Sequence, residues 1–197
     1  MFWTCQNSNL FTMRLYTGLI HYPVYNKNRD KIASAVTNLD LHDISRISRT
    51  YGIKRFFVVT PLSDQQEFIS SLIEHWKSGY GASYNIDRKE AIEVIEVTAS
   101  IEAAVNKIVD IEGEKPVTIA TCASKVKDSI TFGRAKEIIN SDKAVLLLFG
   151  TAWGLHQDVI EDVDFVLNEI EGNSEYNHLP VRAAAGIIID RLTGHYV

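Results

Sequence analysis

Small residues directly follow a fully apolar segment of the sequence, residues 144–149. They cluster at positions 150–154, and a further glycine stands at position 172. A glycine after a buried strand lets a ligand approach the main chain closely, but glycines also serve tight turns. These residues alone therefore do not decide whether the glycines bind a ligand through the main chain or only form tight turns.

Several common catalytic motifs are missing from the sequence. It contains no GxGxxG, no GxxxxGK[ST] and no GxSxG. These absences argue against a dinucleotide-binding Rossmann site, a P-loop NTPase and an α/β-hydrolase. The two cysteines, Cys5 and Cys122, form no CxxC pair, and the six histidines show no HExxH spacing. We therefore predict neither a metal site nor a disulfide framework.

The composition restricts the class of protein. The 197 residues fit one domain, and 20 Lys and Arg against 25 Asp and Glu give a formal net charge of -5. That balance excludes a polybasic nucleic-acid arm, so binding of phosphate needs a local patch. No apolar run reaches the roughly 18 residues of a membrane span. Residues 1–12 lack a secretory pattern, and we expect a reducing cytoplasm and no membrane partner.

Apolar segments alternate with segments of helical periodicity from residue 14 onwards. The apolar segments are residues 14–24, 55–60, 93–98, 117–120, 144–149 and 163–167. The predicted helices are residues 40–51, from 63 to the glycines at 79 and 81, 100–111, 131–140 and 181–192. Residues 1–12 show no pattern and read as a loose extension before a single domain of residues 13–197.

Capping residues delimit three of these helices. Asp40 is a candidate N-cap for the first helix, and Gly52 is its stop. Ser63, with Gln66 three residues later, predicts a capping box for the second helix. Gly113 is the expected end of the helix over residues 100–111.

Continuous apolar strands separated by helices are typical of a parallel sheet that is covered on both faces. The sequence therefore predicts an α/β fold with a doubly wound parallel sheet. Ligands of such sheets bind outside the carboxyl ends of the strands. A functional site is accordingly expected in the segments that follow Thr60, Ala120, Phe149 and Leu167.

Four motifs together resemble a known superfamily. They are LFGTAWGL at 148–155, IEG at 170–172, YNHLPVRAAA at 176–185, and DLHDISR at 40–46 followed by Gly52. The set is similar to the SPOUT superfamily of S-adenosylmethionine (SAM)-dependent RNA methyltransferases. It is most similar to a branch of predicted RNA methyltransferases related to bacterial tRNA (guanine-N1) methyltransferase. The resemblance covers about residues 14–194, with Asp40 in a place where asparagine is usual.

The resemblance implies a deep C-terminal trefoil knot and SAM as the cofactor, held largely by main-chain groups of three loops. A neutral pocket of small and apolar residues suits that cofactor. The implied cofactor-binding residues are Thr121, Cys122, Phe149, Gly150, Thr151, Gly154, Leu155, Ile170, Gly172, Asn177, His178, Leu179, Val181 and Ala183.

The resemblance also implies catalytic residues. Arg46 occupies the place of the superfamily's first-motif arginine, where its charge can stabilise an oxyanion or orient a phosphate. Arg182 stands at the start of the last helix, where it either anchors RNA phosphate, joins the site or forms an ion pair between helices. The candidates for a general base or its helper are Asp158, His156, Asn177 and His178.

The partners implied by the resemblance are an RNA substrate, with tRNA or rRNA expected, and a second copy of the chain in an obligate homodimer. In that dimer Arg46 of one subunit would face the cofactor of the other. Two alternatives remain open. One is a catalytically silent SAM- or RNA-binding module of the same fold, and the other is a different nucleotide-dependent α/β enzyme.

Overall fold

The computed structural model describes residues 13–79, 83–174 and 176–194, so the predicted N-terminal extension lies outside the described residues. Its centre is a six-stranded sheet in the order β5-β4-β1-β7-β6-β8, in which every pair of neighbours is parallel. These strands are β1 Leu15–Ile20, β4 Arg55–Val59, β5 Ile95–Thr98, β6 Val117–Thr121, β7 Val145–Gly150 and β8 Phe165–Leu167. The predicted parallel sheet is confirmed.

A short antiparallel pair and seven helices complete the described fold. The pair consists of β2 Val24–Tyr25 and β3 Lys31–Ile32. The helices are α1 Asn38–Thr50, α2 Ser63–Lys77, α3 Ile86–Ile92, α4 Ile101–Glu112, α5 Phe132–Ile139, α6 Gln157–Asp162 and α7 Val181–Thr193. No helix in the described ranges is long and apolar enough to cross a membrane.

The two faces of the sheet are covered unequally. One core cluster joins the sheet to α1, α2, α3, α5 and α7, and we call this side the first face. The other cluster joins the sheet to α4 and α6 only, and we call this side the second face. Both faces are thus buried, which explains why β7 (VLLLFG) is almost continuously apolar. The doubly wound arrangement is confirmed.

The first helix begins before the residue that the sequence indicated. Thr37, not Asp40, is the N-cap of α1, because the Thr37 hydroxyl accepts a hydrogen bond from the Asp40 amide at 3.2 Å. The Asp40 carboxylate in turn accepts from the Thr37 hydroxyl at 2.7 Å. Asp40 is therefore the third residue of the helix, largely buried in its first turn, and its prediction as the N-cap was wrong. Gly52, with φ +70°, follows the helix as predicted.

The capping box predicted at α2 is also wrong. Leu62 is the N-cap residue and makes no side-chain cap, so Ser63 is already helical. The Gln66 side chain donates instead to the carbonyl of Thr60 at 2.7 Å, which joins the helix to the end of β4. The helix itself ends at Lys77.

Four short elements were not predicted from the sequence. Helices α3 and α6 have seven and six residues, and β2 and β3 have two each. Such lengths offer too few positions for a periodic apolar pattern. By contrast, α4 begins after Ser100, ends at Gly113 and agrees with its prediction to within one residue.

Parallel strands place the loops of interest at one edge of the sheet. We call the edge where the strands end the carboxyl edge, and the opposite one the amino edge. The chain leaves β1 towards β4 on one side, whereas β7 and β6 lie on the other side of β1. The strand order therefore reverses next to β1, and a crevice outside the carboxyl edge is expected there.

Candidate active site at the carboxyl edge

Two of the predicted cofactor loops meet beyond the ends of β6 and β8. The Asn177 side-chain amide donates to the carbonyl of Ala123 at 3.0 Å and thereby ties the segment before α7 to the loop after β6. The Thr121 hydroxyl donates to the carbonyl of Leu148 at 3.0 Å and joins the same loop to β7. Asn177 is thus placed to hold two loops together.

The side chains around this junction are mostly neutral. Burial raises the pKa of the Cys122 thiol, so it stays uncharged at neutral pH. Ile170 and Val181 are half-buried and pack against the core of the first face. Leu179 and His178 are more exposed, and His178 contacts the Tyr176 ring edge-on.

The third predicted loop, residues 149–155, is tightly folded. The Phe149 side chain is buried in the core, so only its main chain is open to a ligand. A Cβ atom on Gly150 would lie 2.6 Å from the nitrogen of Leu155, so the loop can fold back over this residue only if it is glycine. Gly154 has φ +95°, and the Leu155 side chain is buried. This loop pairs with residues 23–25.

These residues fit an adenosine-containing cofactor. The half-buried apolar side chains of Ile170 and Val181 can pack on a base, and the neutral thiol of Cys122 adds no charge. A Cβ placed on Gly172 would meet no atom within 4 Å, so the main chain there is accessible to a ligand. Ala183, in the first turn of α7, is half-buried at the adjoining groove.

That groove runs between α1 and α7, on the first face, and contains both candidate arginines. Its volume is about 470 Å³, and we call it the arginine groove. It is lined by Asp43, Arg46, Ile47, Thr50, Tyr51, Pro180, Arg182 and Ala183. The structure thus brings Arg46 and Arg182 together, although they lie 136 positions apart in the sequence.

The two arginines differ in their partners. Arg182 is held by two carboxylates, with Nη1 3.3 Å from Asp40 Oδ1 and Nε 3.3 Å from Asp43 Oδ2. Arg46 is exposed and forms no side-chain hydrogen bond or ion pair within the described ranges. Asp40, which replaces the usual asparagine, is therefore part of the support of Arg182. Arg46 keeps its charge available for an anion.

Asp158 lies elsewhere. It is exposed in the first turn of α6, pairs with Lys31 and lies 3.2 Å from the Nδ1 atom of His156. Asp158 lines a cleft of about 290 Å³ between α4 and α6 on the second face. The structure does not bring Asp158 or His156 together with Arg46 and Arg182, because α6 and α1 pack on opposite faces of the sheet.

A buried polar chain at the end of β1 was not predicted. The Thr151 hydroxyl donates to the carbonyl of Ile20 at 2.8 Å, and the Ser34 hydroxyl lies 2.6 Å from that of Thr151. The Ser34 oxygen is 3.0 Å from His21 Nδ1. Since the Thr151 proton is already used, Ser34 donates to Thr151 and accepts the Nδ1 proton of His21.

Burial keeps His21 a neutral imidazole within this chain. Burial lowers the pKa of His21 to about 4, against the opposing charge of Asp40. Its Nε2 atom is fully buried and has no hydrogen-bond partner among the described residues. His21 directly follows β1 and belongs to none of the motifs of the sequence. Ser34 lies in a loop without a motif, so no sequence signal indicated it.

No group of three or more His, Cys, Asp or Glu side chains that could hold a metal ion occurs in the described part of the chain.

Comparisons with known proteins identify the family. A family profile described as SAM-dependent RNA methyltransferase matches residues 14–194. The tRNA (guanine-N(1)-)-methyltransferase of Oleidesulfovibrio alaskensis is 42% identical over 180 residues, which are 91% of this chain but 42% of that protein. An uncharacterized protein of Aquifex aeolicus is 31% identical over 179 residues, which cover 90% of this chain and 87% of that protein. The chain thus spans less than half the length of the relative with the named activity.

A solved structure is similar in fold. The TrmH/SpoU tRNA modifying enzyme of A. aeolicus superposes with a TM-score of 0.53 at 17% identity, over 92% of this chain and 74% of that one. At that identity the likeness concerns the fold alone. Together with the match to the family profile, it agrees with the resemblance of the four sequence motifs. The chain belongs to the family of SAM-dependent RNA methyltransferases, and its fold is that of the SPOUT methyltransferases.

Proposed function

We propose that this chain methylates a nucleotide of tRNA or rRNA, with SAM held by the loops at the carboxyl edge and the RNA held in the arginine groove. The observation that carries this assignment is the unpaired Arg46 beside the doubly held Arg182 in one groove. α7 follows β8, and α1 follows β1 after the short β2–β3 pair, so both helices begin at the carboxyl edge of the sheet. The groove and the cofactor loops therefore adjoin.

SAM supplies an electrophilic methyl group, and the chain's own residues must align the RNA with it. Arg46 is placed to bind a phosphate or the acceptor oxygen on which negative charge develops. Asp40 and Asp43 fix the Arg182 guanidinium, which gives the groove a second cation of defined direction. Asn177 keeps the loops after β6 and β8 together.

The proton of the acceptor nucleotide needs a base near the arginines. Asp43 is the carboxylate that lines the arginine groove, and it also holds Arg182. Asp158 remains a sequence-based candidate, but its place on the second face makes Asp43 the better positioned of the two. Asp43 is accordingly our candidate base for transfer to a ring nitrogen or a ribose hydroxyl.

A homodimer and a C-terminal trefoil knot are parts of the same proposal. Leu39 on α1 and Leu179 just before α7 are exposed apolar side chains next to the groove-forming helices, and a second copy would cover them. Arg46 of one subunit would then face the cofactor loops of the other. A monomer in light scattering over a wide range of protein concentration would contradict this arrangement.

The choice of tRNA rests on the longer relatives. Both are named tRNA (guanine-N(1)-)-methyltransferases, and the matched part is 42% of their length, so that activity belongs to a larger protein. Within the arginine groove of the present chain, Arg182 is paired with Asp40 and Asp43, and the charge of Arg46 is the one left to bind an RNA phosphate. Transfer to tRNA by this chain alone is therefore a proposal to be tested directly.

The test is methyl incorporation from labelled SAM into unfractionated tRNA and, separately, into rRNA. We expect label in RNA that depends on the chain and falls strongly in Arg46→Ala. Mass analysis of the nucleosides then identifies the methylated base or ribose. If SAM binds in calorimetry but no RNA receives label under any condition, the chain is a silent binding module and the proposal fails.

A further inference from the structure

We propose that Trp153 is a stacking platform for an unpaired RNA base beside the methyl-transfer site, with cations of the β2–β3 hairpin binding the adjacent phosphates. The inference rests on the proposed function and adds a residue outside the arginine groove. Trp153 stands at the tip of the loop between β7 and α6 and is 59% exposed. An aromatic face of this size stacks on any base and supplies part of RNA affinity without reading sequence.

The loop presents Trp153 in a fixed position. The Trp153 amide donates to the carbonyl of Tyr25 at 3.1 Å, and the Tyr25 amide donates to the carbonyl of Gly154 at 2.9 Å. Ala152, at φ +50°, and Gly154, at φ +95°, make the tight turn around the tryptophan. A non-glycine residue in this left-handed region is unfavourable. These contacts fix the main chain at Trp153, so the loop loses little conformational entropy when a base binds.

The same loop reaches the predicted cofactor site. Thr151, two residues before the tryptophan, donates to the carbonyl at the end of β1 and joins the buried chain to Ser34. Gly150 is the last residue of β7, and β7 lies next to β1, where the strand order reverses. A base stacked on Trp153 would therefore lie outside the crevice in which we place the cofactor.

The turn between β2 and β3 carries two cations, and it is joined to the tryptophan loop by the main-chain hydrogen bonds of Tyr25. The Arg29 guanidinium carbon lies 3.9 Å from the centre of the Tyr25 ring. The Tyr25 ring also packs against the ring of His156, which follows the tryptophan loop. Lys27 is exposed on the same turn. Asp30 is the carboxylate of the same turn, so Lys27 and Arg29 leave the turn a net charge of about +1, which suits a phosphate of the RNA backbone.

The experiment measures tryptophan fluorescence with unfractionated tRNA as the probe. A blunt RNA duplex, which has no unpaired base to stack on the tryptophan, is the control. The chain has three tryptophans, so Trp153→Phe is compared with Trp76→Phe, a half-buried residue that Arg88 covers. We expect tRNA to quench the emission of the parent and of Trp76→Phe. We expect most of this quenching to be lost in Trp153→Phe, and the duplex to quench weakly.

Affinity gives the second measurement. Trp153→Ala is expected to raise the Kd for tRNA by about 5- to 100-fold, whereas Trp153→Phe keeps it within about threefold because a ring remains. SAM affinity and melting temperature report whether the loop still folds. If Trp153→Ala lowers both the SAM affinity and the melting temperature, the loop has not folded in that variant. The fluorescence quenching of Trp153→Phe, compared with that of Trp76→Phe, then decides.

The outcomes separate this inference from the proposed function. If the parent transfers methyl groups but Trp153→Ala binds tRNA as tightly as the parent, only the stacking role is overturned. If the parent neither binds tRNA nor methylates RNA, both fail. A blue shift of Trp153 emission on concentrating the protein without RNA would show that another copy covers the ring, and it would also overturn the stacking role.

Discussion

Two clusters of charged residues show how differently this chain uses ion pairs. At the amino edge, Glu112 lies 2.7 Å from Arg14 Nε, 2.7 Å from Lys54 Nζ and 2.5 Å from the Tyr16 hydroxyl, and its side chain is only 8% exposed. We call these four residues the Glu112 cluster. In the arginine groove the pairs of Arg182 are longer, at 3.3 Å, and Arg46 has no carboxylate partner within the described ranges. The first cluster is satisfied, whereas the second keeps positive charge for a ligand.

The difference is visible in the electrostatics of the Glu112 cluster. Burial alone would raise the pKa of Glu112, but hydrogen bonds from Lys54, Tyr16 and Arg14 lower it to about 2. Burial and the same carboxylate raise the pKa of Tyr16. Such a closed cluster stabilises the fold around neutral pH and has no capacity left for an anion. Its residues join β1 and α4 to the start of β4.

The largest expected effect is on catalysis. Arg46→Ala should lower kcat/KM for methyl transfer about 100-fold or more, because one positioned cation at a developing negative charge contributes that much. Its free energy of unfolding should change by less than about 0.5 kcal/mol, since the residue is exposed. Arg49→Ala is the matched control, because Arg49 is an exposed arginine of α1 like Arg46 but is paired with Glu90 of α3. Full activity in Arg46→Ala would remove the distinction between the two clusters.

The Glu112 cluster should show the reverse pattern. Glu112→Gln should lower the free energy of unfolding by about 2 kcal/mol at neutral pH, because three charge-assisted hydrogen bonds are weakened in a buried place. It should leave kcat per folded molecule unchanged. Denaturant unfolding measures the first quantity, and Glu114→Gln, at the half-exposed second carboxylate of Arg14, is the control.

The stabilisation by Glu112 should be lost at acidic pH. The folded-state pKa of Glu112 is about 2, below its ordinary value of 4.5, so its stabilisation is complete above pH 4.5 and is lost as pH falls towards 2. The difference in unfolding free energy between the parent and Glu112→Gln should therefore shrink in that range. A difference that stays constant from pH 6 to pH 3 would contradict the shifted pKa.

The buried polar chain allows an intermediate test. Ser34→Ala should lower the free energy of unfolding by about 1 kcal/mol, because the Nδ1 proton of His21 and the Thr151 hydroxyl each lose a partner. SAM affinity should also fall, since Thr151 belongs to the cofactor loop. Ser63→Ala, at an exposed residue of α2, is the control. Unchanged stability and SAM affinity would show that the chain of hydrogen bonds does not order the loop.

The smallest effect is expected on the second face. Asp158→Asn removes an exposed pair with Lys31, which is worth less than about 1 kcal/mol, and should change kcat by less than about twofold. Asp43→Asn in the arginine groove is the comparison and should lose most methyl transfer. If Asp158→Asn is instead the inactive variant, the catalytic base lies on the second face, and the arginine groove is not the site of methyl transfer.

The sequence predicted the sheet better than the site. Continuous apolar strands, Ser100 and Gly113 carry strong local signals, so the parallel sheet and α4 were predicted closely. Thr37 was missed as the cap because Asp40 offers an equally good capping side chain three residues later. Asp158 follows the glycine loop in sequence, yet α6 turns it onto the second face.

Contacts between residues far apart in the sequence could not be predicted from local sequence patterns. His21, Ser34 and Thr151 are separated by up to 130 positions. The pairing of β1 with β7 brings His21 near Thr151, and a main-chain hydrogen bond from Ser34 to His21 adds the third residue. The neighbourhood of Arg46 and Arg182 depends in the same way on α1 and α7 packing side by side. The resemblance of motifs named these arginines, but the structure was needed to show that Asp40 and Asp43 hold one of them.

The central claim is that SAM binds at the carboxyl edge of the sheet. Hydrogen exchange of the full chain with and without saturating SAM tests it most directly. We expect slower exchange in residues 121–123, 149–155 and 170–183, and little change around the cleft between α4 and α6. Slower exchange confined to residues 101–105 and 158–163 would place SAM on the second face and contradict the account.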